Sequence, residues 1–183
     1  MESETLHQDT QLLAALALAL VDHPRATLQE LAKTAGISKA TLYRFCRTRD
    51  QLVEQLWQHS IRALNHALDN AGLDSLAPLE ALKRLITNNL EHREFQAFLM
   101  YYWKEAGAGI EEQMCWDMQL DAFFLRGQQQ GVFRIDISAA ALTEIFTWTL
   151  AGLINAERQG KVARLGLPAL IENAFLHGAV ATK

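Results

Sequence analysis

Apolar residues recur along this chain with the 3.6-residue period of amphipathic helices almost from end to end, and glycine or proline stands at most points where the period breaks. The first such segment runs over residues 9–22, rich in Leu and Ala, and stops ahead of Pro24, whose ring disfavours a helical predecessor. Leu28, Leu31, Ala32 and Ala35 repeat at i, i+3, i+4 and i+7, a short second helix that Gly36 ends by taking positive φ without a Cβ clash. A third short helix follows Ser38, which has the chemistry of an N-cap. A fourth, starting at Arg49 or Asp50 and reaching about Asn70, carries Val53, Trp57, Ile61, Leu64 and Leu68 on one face. Further helices are predicted over residues 78–92, 94–105 and 110–130, with Pro78 acceptable in a first turn and Gly107-Ala108-Gly109 and Gly131 as breaks. Val132 to Ile137 has strand-like composition but is short, and reads as an extended connector. Ser138 caps an eighth helix ending near Gly160, and Pro168 opens a ninth reaching about His177. The fold class is therefore all-α, with about nine helices and no internal repeat.

Residues 27–49, TLQELAKTAGISKATLYRFCRTR, place two of these short helices around a tight turn, the layout of a helix-turn-helix. Thr27 and Glu30 form a capping-box pattern, in which the hydroxyl satisfies one amide and the carboxylate reaches back to another. In the helix after Ser38, Leu42 with Phe45 or Cys46 can turn inward, which leaves Lys39, Thr41, Tyr43 and Arg44 on the remaining faces. Those are donors suited to a DNA groove and its phosphates. Net charge is −4, yet residues 23–52 alone carry +4, from Arg25, Lys33, Lys39, Arg44, Arg47 and Arg49 against Glu30 and Asp50. The positive field is local, and the acidic remainder discourages nucleic acid from other faces.

With 183 residues and half of them apolar, the chain has ample length for a small module and a larger one, divided at 1–48 and 49–183. Cys46 and Cys115 lie in different predicted helices without framework spacing, which fits reduced thiols and a cytoplasmic location. Leu12 to Val21 is far shorter than the roughly 20 residues of a membrane span, so neither anchor nor signal peptide is expected. The chain lacks the H-E-x-x-H, G-x-S-x-G and G-x-x-x-x-G-K-[ST] patterns and paired C-x-x-C motifs, so an enzyme is not expected. His59 and His66 have no obvious third ligand, and neither metal nor cofactor is expected.

The Leu/Ala-rich first helix, TLQELAKTAG, ISKATLYRF and the following TRDQL together resemble the DNA-binding domain of the tetracycline-repressor (TetR) family of bacterial transcription regulators, over residues 9–57. GQQQGVFRID, from Gly127 to Asp136, also resembles the connector before that family's eighth helix. Two departures stand out: Cys46 where an aromatic is usual, and Asp22 where a glycine usually ends the first helix. The resemblance implies that Ser38, Thr41 and Tyr43 contact phosphates, that Lys39, Ala40 and Arg44 face base edges, and that Thr27 and Arg49 meet the flanking backbone.

The eighth helix is apolar around most of its circumference, and only one side can face its own domain. Trp148, Ala151, Gly152 and Asn155 there, with Leu170, Ala174 and Phe175 on the ninth, are the candidate surface of a two-fold homodimer. The sixth and seventh helices concentrate rings and thioethers. Phe98, Met100, Tyr102, Trp103, Met114, Trp116, Met118 and Phe123, with Trp57 from the fourth, are candidates to line a pocket for a small hydrophobic or aromatic effector. The expectation is a homodimeric, ligand-responsive bacterial transcription regulator, a repressor released from a double-stranded palindromic operator by that effector. Its alternatives are a DNA-binding regulator without an effector, whose C-terminal domain only dimerises or meets a protein partner, and, more remotely, a helical-bundle enzyme.

Overall fold

The computed structural model describes residues 2–102 and 110–179, with side chains described over 9–102 and 114–177. Nine helices form among the described residues: α1 (Glu2–Asp22), α2 (Leu28–Thr34), α3 (Lys39–Phe45), α4 (Arg49–Asp69), α5 (Pro78–Glu91), α6 (Arg93–Tyr102), α7 (Ile110–Gln129), α8 (Ala139–Arg158) and α9 (Leu167–Ala179). Among the described residues the fold is all-α, as the periodicity predicts, and the stop signals at Gly36 and Gly131 act where expected, while the expected break at Gly107-Ala108-Gly109 lies outside the described residues. Gly36 and Gly131 both take φ of 70°, and Pro78 opens α5.

By contacts the chain divides into two units, Met1–Ala63 with Glu94–Glu105, and Leu64–Arg93 with Ala106–Lys183. This grouping divides the chain inside α4 and places α6 with the N-terminal helices. In the first unit Leu16, Ala17 and Leu20 of α1, Leu31 of α2, Leu42 of α3 and Leu52 and Leu56 of α4 are essentially without exposed surface. These side chains fix how the three N-terminal helices and the start of α4 enclose one core.

In the second unit five phenylalanines make the centre. Phe124 lies 5.3 Å from Phe133, 6.0 Å from Phe146 and 5.5 Å from Phe175, ring centre to ring centre, in tilted or edge-on pairs. Such angles place the positive edge of one ring toward the negative face of the next. Phe133 belongs to the connector after α7 and is buried, so the connector contributes this one ring to the core, while Ile135 and Asp136 stay exposed. The ring can reach the core because Gly127 leaves room: a Cβ there would meet the Phe133 ring at 2.3 Å. Gln128 Nε2 donates to the carbonyls of Arg134 (2.8 Å) and Ile137 (2.7 Å), satisfying the extended backbone beyond the turn. Both cysteines are free, Cys46 buried and Cys115 exposed.

Candidate nucleic-acid interface

The short helices α2 and α3 are only seven residues each, too short to persist in water without help, so caps and packing must hold them. The Thr27 amide donates to Glu30 Oε2 at 2.7 Å, and the Glu30 amide donates to Thr27 Oγ1 at 3.4 Å, which completes the reciprocal box. These bonds hold the Glu30 carboxyl below its ordinary range, the Thr27 amide bond contributing most. At α3 the Thr41 amide donates to Ser38 Oγ at 3.0 Å, and the two hydroxyls lie 2.8 Å apart.

Leu42 and Cys46 turn inward, at 0 % and 3 % exposure, while Phe45 stays half-buried. Burial raises the Cys46 thiol pKa, so the residue departing from the family pattern serves as a small hydrophobe. The outer face of α3 presents Lys39, Ala40, Tyr43 and Arg44 to solvent, with Thr41 half-buried. The Lys39 ammonium sits 5.4 Å from the Tyr43 ring centre. A small residue between cations lets the helix approach a groove closely, and the cations match guanine O6 and N7 and the phosphates.

The C-terminal end of α3 is tied to α4 by bonds not anticipated from the sequence. Gln55 Nε2 donates to the Phe45 carbonyl at 2.8 Å, and the Arg47 amide donates to Gln51 Oε1 at 2.9 Å. The Gln51 amide in turn donates to Thr48 Oγ1 at 3.2 Å. The T-x-x-Q spacing of residues 48–51 is the signal that would have found this cap. Arg49, expected to meet the flanking DNA backbone, also has partners within the fold: its Nη2 donates to the Pro24 carbonyl at 2.7 Å and to Tyr102 Oη at 2.9 Å. A half-buried guanidinium finds its acceptors within the fold.

A family model described as bacterial regulatory proteins, tetR family, matches residues 13–56. Over 179 residues the chain is 49% identical to the HTH-type transcriptional regulator NfxB of Pseudomonas aeruginosa, covering 95% of each protein. The chain belongs to the TetR family. It is similar, at 29% identity over 118 residues (64% of this chain and 58% of the other), to the HTH-type transcriptional repressor LfrR of Mycolicibacterium smegmatis. The crystal structure of LfrR in complex with proflavine matches at a TM-score of 0.66 and 23% identity, covering 98% of this chain and 99% of that one. The ketosteroid transcriptional regulator KstR2 of Mycobacterium tuberculosis matches at 0.75 and 16% identity, covering 93% and 94%. As a TetR-family member the chain is a DNA-binding transcriptional regulator and not an enzyme, and the residues carrying the resemblance lie inside the matched segment. Regulators of this family bind operator DNA and dimerise.

The ring and thioether candidates divide between the two units. In the first unit Trp57, Phe98 and Tyr102 are core residues, at 4 %, 0 % and 2 % exposure, with next to no surface open even to water, whereas Met100 is exposed. In the second unit Phe123 belongs to the phenylalanine core, Met114 and Met118 are exposed, and half-buried Trp116 donates its Nε1 to Asn65 Oδ1. Trp103 lies outside the described residues. Helical spacing marks a buried stripe, and close-packed rings can satisfy it without a ligand. Of the dimer candidates, Trp148, Gly152, Leu170 and Ala174 are exposed and Asn155 is half-buried. Phe175 and Ala151 are instead buried within their own unit, Phe175 against Phe124 and Phe146, and Phe175 has no face to offer a partner.

Proposed function

We propose that the chain is a homodimeric repressor in the bacterial cytoplasm, whose residues 1–48 read a double-stranded, pseudo-palindromic operator and whose remaining residues dimerise and take a small apolar or aromatic effector that lowers operator affinity. One observation carries the operator reading: α3, doubly capped and tied to α4, exposes Lys39, Ala40, Tyr43 and Arg44 together. Ser38 and Thr41 stand at its N-terminal end, where hydroxyls and backbone amides suit phosphate oxygens, and Thr27 holds the same place on α2. One α3 reads too few base pairs for useful specificity, so a two-fold pair over successive major grooves is needed.

A second copy of the chain covers α8 and α9 in this reading. The α8 helix is long and apolar enough to cross a membrane by length and composition, yet only 33% of it is buried within its chain. Ile145, Trp148 and Gly152 lie along its uncovered side, and Leu170 and Ala174 along that of α9. Like surfaces meeting across a two-fold axis remove that apolar area from water.

Support for an effector comes from the relative LfrR, whose structure holds the planar aromatic proflavine. The close packing of Trp57, Phe98, Tyr102 and Phe123 favours instead a regulator whose larger domain only dimerises. Selection of genomic DNA fragments by the purified chain tests the operator reading, which fails if no two-fold motif is enriched. Titration of the selected complex with proflavine tests the switch: release of DNA supports it, and proflavine affinity identical with and without operator refutes coupling for that class of ligand.

A further inference from the structure

Arg49 is the first residue of α4, where the positive end of the helix dipole disfavours a cation, so its place there needs another cause. The cause is a junction of three segments. Nη2 carries two protons and gives one to the Pro24 carbonyl, in the turn between α1 and α2, and one to the hydroxyl of Tyr102, the last residue of α6. The guanidinium carbon also lies 6.0 Å from the centre of the Tyr102 ring. Tyr102 is itself held, 2 % exposed and stacked on the wholly buried Phe98 at 4.8 Å. Its hydroxyl therefore cannot leave Arg49 without displacing the ring from the core. From Arg49 the connection continues through α4 to the Gln51 and Gln55 bonds that hold the end of α3.

We propose that Arg49 is a positioning residue for operator recognition, acting through Tyr102: the pair fastens the α1–α2 turn and the base of α4 to the end of α6, and so holds α3 in its DNA-reading pose. The inference rests on the operator reading above. It differs from the phosphate contact implied by the family resemblance in a measurable way, because a phosphate ligand contributes to counterion release and a fastener does not.

The test uses the full-length chain and the operator it selects from genomic DNA. Tyr102→Phe removes one hydroxyl and keeps the ring on Phe98, so the fold survives, as a thermal melt checks. Operator affinity should fall about tenfold, as expected when a charge-assisted hydrogen bond no longer biases the competent pose. The slope of log K against log salt should stay at the wild-type value. Discrimination against an operator with one base pair inserted between half-sites should shrink, since loosely held recognition helices tolerate more spacings. Arg49→Gln combined with Tyr102→Phe should cost no more than Arg49→Gln alone. The inference is overturned if Tyr102→Phe binds as wild type while Arg49→Gln flattens the salt slope by about 1.8, two phosphates per dimer. It is equally overturned if Tyr102→Phe weakens every spacing by one common factor, the behaviour of a merely destabilised chain. A wild-type chain that enriches no motif overturns the operator reading, and this inference with it.

Discussion

Replacing Gly127 by Ala sets two effects of known size against each other. Gly127 lies inside α7, where alanine is the better helix former by about 1 kcal/mol. The added Cβ, however, would sit 2.3 Å and 2.4 Å from Cδ2 and Cε2 of Phe133, where ordinary carbon contacts begin well beyond 3 Å. The ring would have to retreat by about 1 Å, against a carbon–carbon optimum of roughly 3.5–4.0 Å. It has nowhere to go: Phe133 is 0 % exposed and lies 5.8 Å from Phe123, 5.3 Å from Phe124 and 6.4 Å from Phe175. Overpacking of this kind costs about 1–3 kcal/mol, and the depth of the overlap points to the upper end. Subtracting the helix gain leaves Gly127→Ala destabilised by about 2 kcal/mol. Urea unfolding followed by circular dichroism measures this. The same substitution in a Phe133→Ala background, where no side-chain atom beyond Cβ remains, should reverse sign and stabilise by up to about 1 kcal/mol. If Gly127→Ala costs the same in both backgrounds, steric exclusion by Phe133 is not the reason for this glycine.

Arg44→Ala should relax base preference at one position per half-site and cost about 1–3 kcal/mol per contact, whereas Tyr43→Phe should weaken binding at every sequence alike; selection with each variant, then anisotropy titration, separates the two. Trp148→Glu, on the open side of α8, should leave circular dichroism unchanged while sedimentation shows monomers and operator affinity collapses, and a variant still dimeric at micromolar concentration would place the interface elsewhere. Glu30 is held below its ordinary 4.5, so the stability it lends is complete above the unfolded carboxylate range and is lost as pH falls through the lower folded value. Glu30→Gln should accordingly melt below wild type near neutrality, and the two curves should converge in acid. Asp117 runs the other way: burial, then Glu144 and Asp121, raise its pKa, so its charge opposes folding above that value, and Asp117→Asn should raise the melting temperature at neutral pH but not in acid.

Local interactions made the helices, the caps and the turn legible in the sequence, because each depends on residues within a few positions of one another. Thr27 with Glu30, Ser38 with Thr41, and the positive φ of Gly36 are of this kind, and so is the cation-bearing outer face of α3. Contacts between residues far apart in the chain were decided only by the tertiary structure. Arg49 reads as one more exposed cation until Tyr102, 53 positions later, arrives beside it. Phe133 reads as part of an extended connector until the absence of a Cβ at Gly127 admits it to the core. The same limit governs the rings of α6 and α7. Periodicity shows that Phe98 and Phe123 lie on a buried stripe, but whether a buried ring meets another ring or a vacancy depends on how completely neighbouring helices fill the space, and here they close over both.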